Sequence, residues 1–145
     1  MDILSKFGEN LSDLLTENNI SPSILADSVD VDRSEIYKYL RKENMPSLPK
    51  LIMIADRLHC SIDYLLGLVA ENPDITYKTA PPFSECFKKI LDKNGKSRYR
   101  FYKETNFAKQ SIDDWYHGKR IPTVENTAEI AKYFNCGIDC LLERE

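Results

Sequence analysis

The stretch Asn106–Pro122, reading N-F-A-K-Q-S-I-D-D-W-Y-H-G-K-R-I-P, decides how the chain folds. Asn106 is a turn residue and Phe107 an apolar anchor, and a short helix then opens on Lys109-Gln110. Ile112 and Trp115, at i and i+3, share one face for burial, which leaves Lys109, Gln110, Asp113 and His117 on the others. Gly118 supplies a C-terminal cap, Lys119 and Arg120 follow, and Pro122 forbids further helix.

The same plan occurs earlier in the chain, at Val31–Pro46. Sliding the sequence on itself by 76 residues, Phe7 onto Phe83, aligns 7–67 with 83–143 without a gap. Of the 61 pairs, 14 are identical, where unrelated sequences of ordinary composition would share roughly four. Ile36/Ile112 and Pro46/Pro122 are among them, and Cys60, Ile62-Asp63 and Leu65-Leu66 recur as Cys136, Ile138-Asp139 and Leu141-Leu142. A period this long exceeds a helical solenoid unit, so two copies of one domain are expected.

Each copy reads as five short helices. In the first, Phe7, Leu11, Leu14 and Leu15 share a face. Ser21-Pro22 then gives a serine cap with proline at the first helical position. Asp30 suits a left-handed turn, and Asp32 through Glu35 resembles a capping box that opens a third helix burying Ile36 and Tyr39. Ser47 and Ser61 cap helices four and five. The second copy follows suit, which predicts an all-α protein with domains at 1–67 and 83–145. Residues 68–82, with Asn72-Pro73 and Pro81-Pro82 and no helical period, read as a linker able to span about 50 Å when extended.

Composition bounds the rest. Hydrophobic residues at 42% and charged residues at 30% describe a globular chain. No apolar run approaches the roughly 20 residues of a membrane span, and the N-terminus lacks a signal-peptide layout, so a cytoplasmic protein is expected. The net charge of −3 hides an asymmetry: residues 1–67 carry 7 Lys/Arg against 11 Asp/Glu, residues 83–145 carry 12 against 10. Within Lys88–Lys109 stand eight basic and two acidic residues, the best electrostatic footprint in the chain for a phosphate backbone.

In their order and spacing, these features resemble the phage-repressor, Cro-like helix-turn-helix domain of the XRE family of transcriptional regulators. The first copy carries the resemblance in Ile24-Leu25-Ala26, Val31–Ile36, Pro46-Ser47-Leu48 and Ile62–Gly67; the second in Gln110–Trp115, Gly118–Thr123 and Ile138–Leu142. The resemblance implies two tandem lambda-repressor-like domains that bind double-stranded DNA as a regulator, with repression the expected sense. It places Arg98 on a phosphate and Lys109 and Gln110 at base edges, with Asp113, Asp114 and His117 further along the helix. Lys119 and Arg120 would be backbone contacts. In the first copy the corresponding residues are Arg33 and Ser34, then Tyr37, Lys38 and Arg41. One chain would act as a covalent pseudo-dimer on half-sites roughly 34 Å apart, or two chains would pair as a homodimer.

Two positions depart from the family pattern. Pro22 occupies the first copy's phosphate position, offering neither a side-chain donor nor an N–H. Tyr102 stands where the first copy has Ala26, so it must turn outward or hold the two helices apart. The acidic first copy has an alternative reading as a dimerisation or protein-interaction module. Cys60 and Cys136 read as small core hydrophobes, and Cys136-x3-Cys140 lacks structural zinc spacing. Tyr99, Phe101, Tyr102, Trp115 and Tyr116 could stack on single-stranded bases, but at helical spacing they suit a core and its edges. With no phosphate loop and no acid/base pair, neither an enzyme, a cofactor, a metal nor a small-molecule substrate is expected.

Overall fold

Short polar side chains start most of the helices. In the computed structural model, which describes residues 2–145, the Oγ of Ser21 accepts from Ile24 N at 3.1 Å and Pro22 is the first helical residue. Ser61, Ser97 and Thr123 cap their helices in the same way at 3.0–3.1 Å, and Ser47 does so at 3.4 Å. Asp32 differs from expectation: it occupies the cap position but makes no side-chain cap hydrogen bond. The third helix of the second copy has Ala108 at its cap position, with no side chain able to cap it. Both third helices therefore start without a side chain across their first N–H groups.

The first five helices are α1 (Ile3–Glu17), α2 (Pro22–Val29), α3 (Arg33–Leu40), α4 (Leu48–Leu58) and α5 (Ile62–Leu65). The second five are α6 (Phe83–Lys93), α7 (Arg98–Glu104), α8 (Lys109–His117), α9 (Val124–Tyr133) and α10 (Ile138–Leu141). Among the described residues there is no strand, and no helix is long and apolar enough to cross a membrane. Pro22/Arg98, Arg33/Lys109, Leu48/Val124 and Ile62/Ile138 open corresponding helices, each pair 76 residues apart. The fold is thus all-α, with one five-helix plan used twice.

The chain divides into two compact units, Met1–Tyr77 and Lys78–Glu145. Residues 66–82 carry no helix. Asn72 Oδ1 accepts from Ser61 N at 3.0 Å within the first unit, and Lys78 N donates to Arg144 O at 2.6 Å within the second.

Each unit fills its core differently. Leu11, Leu25, Val31 and Tyr39 are buried in the first, where the equivalent positions of the second hold Phe87, Phe101, Phe107 and Trp115. Phe101 lies 5.3 Å from Phe87, 5.1 Å from Tyr133 and 5.7 Å from Phe134. Most of the aromatics that could have stacked on bases are thus packed on one another, with Phe101 and Trp115 at 0% and 2% exposure; Tyr99 stays 67% exposed. Cys60 is buried as expected, whereas Cys136 is only partly covered.

The first and third helices meet closely in both units, and a glycine makes room each time, from opposite sides. A Cβ on Gly8 of α1 would lie 2.8 Å from the Tyr39 carbonyl oxygen and 2.9 Å from Lys42 Cγ. In the second unit Gly8 becomes Ser84 and Lys42 becomes Gly118, where an added Cβ would stand 3.3 Å from Ser84 Oγ. Gly118 also has φ of 75°, which favours glycine. Gly8→Val is expected to cost about 2 kcal/mol or more, because a backbone carbonyl cannot yield as a side chain does. Urea unfolding of the variant measures it.

Candidate nucleic-acid interface

The two helix-turn-helix turns differ in backbone. In the first unit α2 passes through Asp30 in the left-handed region, φ 53° and ψ 49°, which a short polar side chain tolerates. In the second unit α7 stops one residue earlier, and Thr105 is extended at φ −128° and ψ 173°. Its Oγ1 donates to Phe101 O at 2.8 Å, as Ser28 Oγ does to the equivalent Leu25 O at 2.9 Å in the first unit.

Arg98 is the first residue of α7 and reaches across to α8. Its Nη1 donates to Asp113 Oδ1 at 3.2 Å and lies 3.2 Å from His117 Nε2, and its Cζ sits 4.2 Å from the centre of the Tyr116 ring. Lys88 Nζ is 5.1 Å from the same ring centre. The fork is half-exposed and held in one direction by a carboxylate, an imidazole and an aromatic face.

Lys109 and Gln110 open α8, both exposed. Gln110 Nε2 donates to Asp114 Oδ1 at 2.9 Å. Arg120 folds back after the Gly118 cap, with Nε 3.5 Å from Asp114 Oδ2 and Nη2 3.4 Å from Ser111 Oγ. Lys119 is exposed, and among the described residues neither it nor Lys109 has a carboxylate partner. Tyr102 is half-buried, and with Ser97, Arg98, Tyr99, Lys109, Ile112 and Asp113 it lines an open hollow between α7 and α8. Lys103 Nζ lies 5.7 Å from its ring centre and 5.4 Å from that of Tyr99.

The first unit presents a different surface at the same place. Arg33 and Ser34 are exposed at the start of α3, but the hollow beside them is lined by Asp27, Asp30 and Asp32. Tyr37 is exposed, Lys38 pairs with Glu35 at 3.7 Å, and Arg41 is bonded to Glu43. Lys38 and Arg41 are thus engaged by neighbouring carboxylates, as Arg98 and Arg120 are in the second unit, and Pro22 adds no cation.

One ion cluster fixes the far end of α7. Glu104 accepts from Tyr133, from Lys96 at 3.1 Å and from Arg100 at 3.1 Å. Those donors, Tyr133 foremost, hold its carboxyl at about 2 against the ordinary 4.5. A depressed folded value contributes stability that is complete above 4.5 and lost as pH falls through about 2. Glu104→Gln is accordingly expected to flatten the fall in Tm across that acid window, measured by thermal melts at stepped pH.

Asp114, Tyr116 and Lys88 organise this surface through partnerships the sequence reading did not assign them. The i, i+4 spacing of Gln110 and Asp114 was a usable signal for the first of these. A helix-turn-helix family model matches residues 11–65, and the model of the Cro/C1-type helix-turn-helix DNA-binding domain matches 87–145. No curated protein and no solved structure matches the chain significantly. With both units matched and the helix register shared between them, the chain belongs to the XRE-like helix-turn-helix proteins as two helix-turn-helix domains in tandem, the second of the Cro/C1 DNA-binding type.

Proposed function

We propose that the protein is a sequence-specific transcriptional regulator, acting as a repressor, whose second domain makes the principal contact with double-stranded DNA. The observation that carries this reading is the set of cations around α7 and α8. Arg98 is aimed by Asp113 and Tyr116, Lys109 and Lys119 have no carboxylate partner among the described residues, and Arg120 borders the same helix. Arg98 would take a phosphate, Lys109 and Gln110 would face base edges, and Lys119 and Arg120 would hold the backbone beyond. The uncapped start of α8 adds open N–H groups and the positive end of a helix dipole toward that backbone. Asp113 and His117 would act through Arg98 rather than as readers.

In this reading residues 1–67 form the first domain, 68–82 the linker and 83–145 the second domain. The first would contribute Arg33, Ser34, Tyr37, Lys38 and Arg41 as a weaker, secondary contact. The acidic hollow at Asp27, Asp30 and Asp32 favours the other role for this domain, pairing with a second chain or another protein. No enzyme activity, cofactor or small-molecule substrate belongs to the proposal, and the cytoplasm is where such a regulator would work.

Competition binding in the full chain tests the assignment. Arg98→Ala is expected to weaken binding to a selected duplex by about tenfold, and Arg33→Ala by threefold or less, on the order expected for one charged contact against a secondary one. The reverse ranking would move the principal contact to the first domain.

A further inference from the structure

Asp114 has almost no access to solvent, its side chain being 12% exposed, yet both of its side-chain partners belong to the proposed DNA-facing set. Its Oδ1 accepts from Gln110 Nε2 and its Oδ2 lies beside Arg120 Nε. Its main-chain carbonyl also accepts from Lys119 N at 2.9 Å and Arg120 N at 3.4 Å, which ties the segment after α8 to the same residue. In the first domain the corresponding position holds a cation, Lys38, which has no acceptor to offer Ser34.

A carboxylate only accepts hydrogen bonds, so the amide of Gln110 can meet Asp114 by its NH2 end alone. The opposite end, Oε1, is then turned away, and one N–H remains. An acceptor beside a single donor is the pattern that adenine N6 and N7 require, whereas guanine O6 and N7 require two donors. We propose that Asp114 is a positioning residue that fixes the amide of Gln110 in one orientation and so makes the base pair it meets adenine-specific. This inference rests on the DNA-binding reading and deepens it.

The two substitutions at 114 have different consequences. Alanine frees the amide to rotate. Asparagine keeps the shape, but its oxygen is drawn to the Arg120 guanidinium and its NH2 then faces Gln110. The Gln110 oxygen turns inward, and two N–H donors point outward. Full-length protein, Asp114→Ala, Asp114→Asn and Gln110→Ala are each put through selection from a random duplex pool, followed by competition binding at the position whose preference Gln110→Ala abolishes.

The native chain is expected to prefer adenine over guanine there by about tenfold. Asp114→Ala should bring that ratio to about one, and Asp114→Asn should bring it to one or reverse it, with preferences elsewhere in the site kept. Thermal melting confirms that each variant is folded, and Asp114→Asn carries the test where alanine unfolds the domain. An even loss of affinity with the adenine preference intact overturns the inference and leaves DNA binding standing. So does a native preference for guanine at that position. A native chain that enriches no sequence overturns the DNA-binding reading and this inference with it.

Discussion

Arg98→Ala combined with Lys109→Ala is expected to weaken the binding of the full chain to its selected duplex by about a hundredfold or more. Each residue opens a helix and lines the hollow between α7 and α8, and a hydrogen bond to a charged group contributes about 1.5–3 kcal/mol. Removing two such bonds together costs about 3 kcal/mol at the lower bound, which is two decades in Kd. Arg98 should account for much of it, because its fork is held by Asp113 at 3.2 Å before any DNA arrives. An Arg98→Lys variant should recover only part, since a flexible ammonium cannot reproduce the fork or its stacking on Tyr116. Both substitutions lie at exposed or half-exposed sites, so Tm should stay nearly unchanged while affinity falls. Fluorescence anisotropy and thermal melting on the same samples separate the two effects.

Phe101→Ala should be the most destabilising single change in the second domain, at about 3–5 kcal/mol. The ring is fully buried and meets Phe87, Phe107, Tyr133 and Phe134. Its deletion removes the transfer energy of a large side chain and leaves a cavity walled by other stiff rings, which cannot collapse to fill it. The equivalent Leu25→Ala in the first domain should cost less, about 2–4 kcal/mol, within the range for a buried leucine. Because Phe101 seats α7 against the core, its loss should also misplace Arg98 and lower DNA affinity. Chemical denaturation gives the first number, and binding under native conditions gives the second.

The repeat made the fold legible. Once Asn106–Pro122 and Val31–Pro46 were set in one register, the serine and threonine caps and the apolar spacings placed the five helices of each copy, and Gly118 ended α8 where a left-handed cap was needed. Asp32 shows the limit of such reading: its position satisfied the capping pattern, yet its carboxylate makes no cap bond. The turn of the second copy was not legible either. There α7 stops at Glu104 with Thr105 extended, where the first copy turns through a left-handed Asp30, and that difference depends on local geometry rather than on residue type alone.

Site chemistry was legible as a roll of polar residues but not as a set of partnerships. Spacing put Asp113 on an outer face of its helix, where it resembles a base reader, and only the approach of α7 shows it holding Arg98. Asp114 sits one residue on and does something else, joining Gln110 to Arg120. Tyr102 raised two alternatives, outward turning or separated helices, and in the structure the half-buried ring lines a hollow between α7 and α8.

The central claim, that the second domain grips a phosphate backbone through Arg98, Lys119 and Arg120, is tested most directly by salt. Equilibrium binding of the full chain to its duplex, measured between about 50 and 200 mM salt, should give a plot of log K against log salt with a slope of about −3, from roughly 0.9 per phosphate contact. Arg98→Ala should make that slope shallower by about 0.9, and Arg33→Ala should change it little. A slope near zero, or one that Arg33→Ala flattens and Arg98→Ala leaves alone, would contradict the account.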